Sequence, residues 1–155
     1  MSPIEAGQPV PDFTLPRDGG GETGPADFKG RKLVIYFYPK DDTSGCTLEA
    51  IDFSARIADF EAADTTVLGI SKDSVKSHDR FRDKHGLKVV LLSDTTGAIC
   101  ERFGVWAEKS MYGRKYMGIE RSTFLVDAKG IVAEVWRKVG VPGHVGAVLE
   151  ASQKL

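Results

Sequence analysis

A cysteine stands three residues after a threonine and directly after a glycine, where an apolar run ends. Leu33-Val34-Ile35-Tyr36-Phe37-Tyr38 leads through Pro39-Lys40-Asp41-Asp42 to Thr43-Ser44-Gly45-Cys46-Thr47. The run has the length and continuity of a strand covered on both faces. The stretch after it reads as an amphipathic helix, because Ala50, Phe53, Ile57 and Phe60 recur at spacings of three and four. Cys46 therefore falls in the first turn of a helix, where backbone N–H groups lack helical partners and the peptide dipoles favour negative charge. A thiol there is drawn towards the thiolate, which is the reactive form. Thr43 occupies the place where a Cys-x-x-Cys dithiol site would carry its other cysteine, so the pattern offers one reactive sulfur beside a hydroxyl.

Each of these residues also has a plain structural use. Free cysteines are usually small buried hydrophobes, but the neighbours Gly45 and Thr47 are not apolar. Thr43 could cap the helix, as could Asp42 or Ser44; its other use is a hydroxyl that donates to a thiolate or orients a bound oxygen. Asp41 and Asp42 oppose a thiolate, since nearby carboxylates raise a thiol pKa, so a cation is wanted. Arg121 opens the apolar stretch Ser122–Val126. Adjoining central strands would bring it to the end of strand 32–38, where forked donors suit both a thiolate and a substrate oxygen. Pro39 ends the strand because it has no N–H, and its ring would shield the sulfur. Cys100, three residues before Phe103, is either a half-buried packing residue or a second, resolving thiol that must reach disulfide distance. His78, His85 and His144 have no metal spacing, and His78 and His85, on a charged helix, are expected to face solvent.

The rest of the chain must hold these residues in place. Its 155 residues, 41% hydrophobic and 28% charged, suit one domain spanning 1–155 with a real core. A net charge of −1 gives no electrostatic footprint for nucleic acid or an anionic membrane. No basic-then-apolar leader opens the chain and no apolar stretch approaches a membrane span. Two cysteines far apart make neither a disulfide scaffold nor a zinc site, and a cytoplasmic location is expected. A short edge strand is predicted around Phe13-Thr14-Leu15 and a turn at Gly19-Gly20-Gly21. Lys32–Tyr38, Thr65–Ser71 and Val89–Leu92 read as buried strands. Val75–His85 reads as a surface helix with Val75 and Phe81 inward, and Ala98–Phe103 as a short one. Ser122–Val126 and Ile131–Val139 form a hairpin across Asp127-Ala128-Lys129-Gly130. His144–Lys154 closes the chain as a helix with Val145, Val148 and Leu149 inward. This order is an α/β sheet with a terminal antiparallel hairpin.

Taken together, Pro39-x-x-x-Thr43-x-x-Cys46 resembles the active-site signature of the peroxiredoxins, and Tyr36 through Ala50 resembles their bacterioferritin-comigratory, or Q-type, subfamily. Further matches run in the family's order: Pro11–Leu15, Gly69–Ser74, Leu91–Asp94, Phe103–Trp106 and Arg121–Asp127. The resemblance implies a thioredoxin-like fold, a central mixed sheet flanked by helices, with an N-terminal extension and a C-terminal hairpin plus helix. It implies the peroxidatic role for Cys46, the hydroxyl role for Thr43, shielding by Pro39, the guanidinium role for Arg121, and a partnership of Glu49 with Arg121. It implies no cofactor and no metal. Many members of the subfamily carry a resolving cysteine five residues after the peroxidatic one, or on the following helix. Here the first position is Ile51 and residues 74–85 contain no cysteine. Either Cys100 resolves atypically or an outside thiol does.

The implied reaction is attack of the Cys46 thiolate on a peroxide O–O bond, giving a sulfenic acid. Lowering a thiol pKa from ~8.5 to ~6 raises the thiolate fraction at neutral pH only about thirtyfold. The remainder must come from donors that bind the oxygens better in the transition state. Hydrogen peroxide and organic hydroperoxides are the expected substrates, thioredoxin, glutaredoxin or a small thiol the expected reductant, and a monomer the expected state. The rival readings are a thiol–disulfide oxidoreductase, which the single cysteine of Thr43-x-x-Cys46 opposes, and a non-catalytic binding or holdase module on the same fold.

Overall fold

The apolar run at 32–38 becomes the middle of the sheet. In the computed structural model, which describes residues 4–155, β1 (Leu15–Pro16) and β2 (Glu22–Thr23) form a small antiparallel ribbon around the three-glycine turn. A 3-10 turn at Pro25–Phe28 precedes β3 (Lys32–Phe37). After β3 come α1 (Ser44–Ala55), α2 (Ile57–Ala62), β4 (Thr65–Ser71), α3 (Val75–His85), β5 (Val90–Ser93) and α4 (Ala98–Arg102). The chain continues through β6 (Trp106–Met111), β7 (Arg114–Ile119), β8 (Ser122–Val126) and β9 (Val132–Trp136) to α5 (His144–Lys154). Five strands form the main sheet in the order β5-β4-β3-β8-β9, with β3 parallel to β4 and antiparallel to β8. Among the described residues no helix is long and apolar enough to cross a membrane.

Strand periodicity divides the core in two. Leu33, Ile35 and Phe37 pack with Leu68, Ile70, Leu92, Cys100, Phe103 and Phe124 on one face. Val34, Tyr36 and Tyr38 pack with Cys46, Ala50, Phe53, Phe60, Phe81 and Val148 on the other. Each large side chain withdrawn from water contributes roughly 1.5–3 kcal/mol, so β3 is fixed from both sides. The Tyr36 ring needs Gly69 beneath it: a Cβ there would come within 2.7 Å of the ring.

Several expectations are corrected. The helix after Cys46 is two helices, interrupted at Arg56 (φ −110°, ψ 13°); Ala50, Phe53 and Phe60 still share one cluster, with Ile57 packed against it. The β6–β7 hairpin is an addition to the expected elements, because its strands are polar and exposed and show no apolar alternation. Its turn, Tyr112-Gly113, has both residues at positive φ (52° and 77°), as a tight two-residue hairpin requires. The last strand spans Val132–Trp136, shorter than Ile131–Val139, and a register shift between Leu125 and Val126 marks its start. The largest departure is His78, expected in solvent and found fully buried. It lies three residues from both Val75 and Phe81, so a stripe that turns Phe81 inward turns His78 inward as well.

Candidate active site

The chain leaves the sheet where its hydrogen bonding stops. Tyr38 N–H donates to the Ile70 carbonyl at 3.1 Å, and the half-buried Pro39 next to it has no N–H to continue the ladder. Asp42 is left-handed (φ 60°), an unfavourable conformation for a residue with a Cβ. Thr43, extended and exposed, is the N-cap of α1, and its carbonyl accepts the Thr47 N–H at 2.8 Å. Its side chain does not cap the helix. Thr43 Oγ1 donates instead to the Lys40 carbonyl at 2.8 Å. The Cys46 N–H, in the first turn, has no intrahelical acceptor, and the Cys46 side chain is only 2% exposed.

Register brings the cation. Phe37 pairs with Ser122 across β3 and β8, so Arg121 lies one step past the pair, beside the end of β3. Arg121 Nη2 donates to Cys46 Sγ at 3.4 Å and Nη1 donates to Glu49 Oε1 at 2.7 Å. Gly45 makes room for this: a Cβ there would stand 3.2 Å from Nη2. Glu49 is fully buried and its second oxygen has no partner. Burial pushes the Glu49 carboxyl up to about 7, against the opposing pull of Arg121.

Both aspartates expected to oppose the thiolate are drawn into α3. Asp41 accepts from Tyr38 Oη at 2.6 Å and from Ser77 Oγ at 2.8 Å, and lies 2.7 Å from His78 Nδ1. Asp42 meets Lys84 Nζ at 2.7 Å and His85 Nε2 at 2.8 Å. His85 and Lys84 hold the Asp42 carboxyl below its ordinary range. His85, expected in solvent, is therefore half-buried against Asp42, with its side chain only 20% exposed.

Cys100 is elsewhere. It is fully buried in the cluster on the opposite face of the sheet from Cys46. Burial first, and the Asp94 carboxylate second, push its thiol well above the usual range. The Cys100 N–H donates to Asp94 Oδ2 at 2.8 Å. Both cysteines are free. His144, also buried, meets Thr123 Oγ1 at 2.8 Å, and burial lowers its pKa to about 4.

Sequence reasoning misses three neighbours of the site. His78 is recoverable from its place between Val75 and Phe81. Lys109, from the added hairpin, is held below its ordinary pKa by burial and by the charge of Arg121. Tyr36 reads only as core, yet its hydroxyl is buried without a partner and is pushed up by burial and by Glu49; an unbroken apolar run carries no signal of that.

The AhpC/TSA family profile matches residues 6–135. Peroxiredoxin Bcp of Xanthomonas campestris is 51% identical over 140 residues, covering 90% of this chain and 88% of its own. Peroxiredoxin Bcp of Bacillus subtilis is 46% identical over 147 residues, covering 95% and 94% respectively. A solved structure of the Xanthomonas campestris bacterioferritin comigratory protein, described for its alkyl peroxide reduction activity, matches with a TM-score of 0.90 at 47% identity. That match covers 97% of this chain and 98% of the other. Identities of this size over nearly the whole length carry the thioredoxin-like fold and the chemistry together: the chain belongs to the AhpC/TSA family, in its bacterioferritin-comigratory (Q-type) peroxiredoxin branch, and is a thiol-dependent peroxidase.

Proposed function

We propose that Cys46 is the peroxidatic sulfur and that hydrogen peroxide and organic hydroperoxides are its substrates. The observation that carries this is Arg121, whose one guanidinium spans the sulfur and the buried carboxylate of Glu49. The thiolate attacks the terminal oxygen of HO–OR. The S–O bond forms as the O–O bond breaks, RO⁻ leaves and takes a proton, and Cys46 becomes a sulfenic acid. Arg121 and the Cys46 N–H are donors aimed at oxygens whose charge grows along that path, which is where donors accelerate a reaction. Thr43 has a different part. Its proton is committed to the Lys40 carbonyl, so Oγ1 is left to accept from the peroxide hydroxyl and orient it. Pro39 limits water at the sulfur, and Glu49 fixes the angle of Arg121.

Recycling is assigned to an outside thiol. Cys100 is buried behind the sheet with a suppressed thiolate, and thiolate character governs attack on a sulfenic acid or a disulfide. Thioredoxin, glutaredoxin or a small thiol condenses with the sulfenic acid and releases water, and a second thiol frees Cys46. We also propose a monomer, which is what the subfamily resemblance suggests. A cytoplasmic location is proposed because two unpaired thiols and a thiol reductant suit a reducing compartment. The test is intact mass and non-reducing digestion after one equivalent of hydrogen peroxide. One added oxygen on Cys46 with Cys100 free is the expected result. A Cys46–Cys100 linked peptide would reassign the resolving step, and an unchanged mass would remove the peroxidatic role.

A further inference from the structure

His78 is a buried histidine outside the Cys46–Arg121–Glu49 hydrogen bonds. Its Nδ1 lies 2.7 Å from Asp41 Oδ2 and its Nε2 lies 3.0 Å from the Leu92 carbonyl. A backbone carbonyl only accepts, so Nε2 carries a hydrogen. Asp41 already accepts from Tyr38 on one oxygen and from Ser77 on the other, which is the pattern of an ionised carboxylate, so Nδ1 carries a hydrogen as well. The network describes an imidazolium–carboxylate pair with side chains 0% and 4% exposed. The titratable groups facing the ring are Asp41 and Tyr38, both from the segment just past β3. Asp73, beyond the end of β4, takes the Asp41 N–H at 2.8 Å.

Asp41 lies in the connection between β3 and α1 that carries Pro39 and Thr43, and His78 reaches it from α3. The next residue, Asp42, holds a left-handed conformation and is gripped by Lys84 and His85, again from α3. Strained backbone persists where its surroundings over-determine it. Here one helix grips two successive carboxylates of the strained turn. We propose that His78, as an imidazolium bound to Asp41, is a positioning residue that keeps the Cys46 turn closed on its peroxide-binding donors. Buried ion pairs are weak sources of stability, and their best-attested use is to select one arrangement. The arrangement selected here is the one that presents Thr43 and Cys46 to substrate.

This inference rests on the peroxidatic reading of Cys46, and two of its tests do not. In ¹⁵N-labelled wild-type protein at pH 7, both His78 ring nitrogens are expected in the protonated range; a neutral-ring pattern overturns the pair. In His78→Gln, amide protection is expected to fall at residues 40–47 while β3 and β4 stay protected. Loss spread evenly over the sheet reduces His78 to a core residue. The rate test follows a single turnover with hydrogen peroxide. In His78→Gln, oxidation of Cys46 should slow by about tenfold to a hundredfold, as small misplacements of reacting groups do; an unchanged rate overturns the proposal. Ser77→Ala, which removes one donor and leaves the pair intact, should slow oxidation by less. If it slows oxidation more than His78→Gln does, the latch is refuted.

Discussion

Each face of the central sheet carries one cysteine, and the two live in opposite settings. Cys46 has an arginine at 3.4 Å, a helix start around it, and its neighbouring carboxylates turned away into α3. Cys100 has an aspartate beside it and aromatic rings from Phe37, Phe103 and Phe124 in the same cluster. Both thiols are buried. Burial therefore does not tell the two apart. The sign of the nearest charge and the presence of N–H groups without acceptors do.

The broadest way to break this contrast is to remove each sulfur in turn. Cys46→Ser should abolish peroxide consumption, and Cys100→Ser should retain it within about twofold when an outside thiol is supplied, while losing about 1–3 kcal/mol of stability from a hydroxyl placed in an apolar core. A steady-state peroxidase assay paired with urea unfolding reads both. Next comes the cation: Arg121→Ala should lower the rate of Cys46 oxidation by about 10²–10³-fold, the usual effect of losing a donor aimed at developing charge. A variant with near-normal single-turnover kinetics would show that the helix start suffices.

Glu49 sharpens the comparison through pH. Its folded pKa is raised from 4.5 to about 7, so between those values the folded state holds a proton that the unfolded chain has lost. The stabilisation from neutral Glu49 is full below pH 4.5 and is lost as pH rises towards 7, by about 3 kcal/mol. Relative to wild type, Glu49→Gln should gain that amount between pH 4.5 and 7 in urea unfolding, while oxidation of Cys46 slows and loses part of its pH dependence near 7. A stability difference that is flat with pH would show that Glu49 is ionised throughout. The smallest effect is expected at Gly45. Gly45→Ala puts a methyl 3.2 Å from Arg121 Nη2, and a shift of a few tenths of an ångström should slow oxidation by about tenfold or less with the helix intact.

What can be read from the chain depends on how far each fact lies along it. The strand, the turn and the thiol at 33–47 are contiguous, so local pattern puts Cys46 in the first turn of α1 with Thr43 just before it, as observed. Arg121 is 75 residues from Cys46, and it is readable only because adjoining strands in antiparallel register set its position. The orientations of Asp41 and Asp42 are not readable: whether they face the sulfur or α3 is decided by where α3 packs. His78 fails for a related reason, since the polarity of the helix outweighs the three-residue stripe it belongs to. The β6–β7 hairpin leaves no apolar alternation to find, and Lys109 is missed with it.

The separation of the two cysteines gives the protein an internal gauge. Cys46 lies at the start of a helix whose opening turn is held by a few polar contacts, and Cys100 lies behind rings that part only when the sheet and α4 come away from each other. Native proteins open in units of different free energy, and a thiol is alkylated only from a state that exposes it. Under an alkylating reagent the labelling rate of Cys46 tracks the fraying of one turn of helix, whereas that of Cys100 tracks the opening of a whole hydrophobic layer. One alkylation time course followed by mass spectrometry reads both depths in the same molecule.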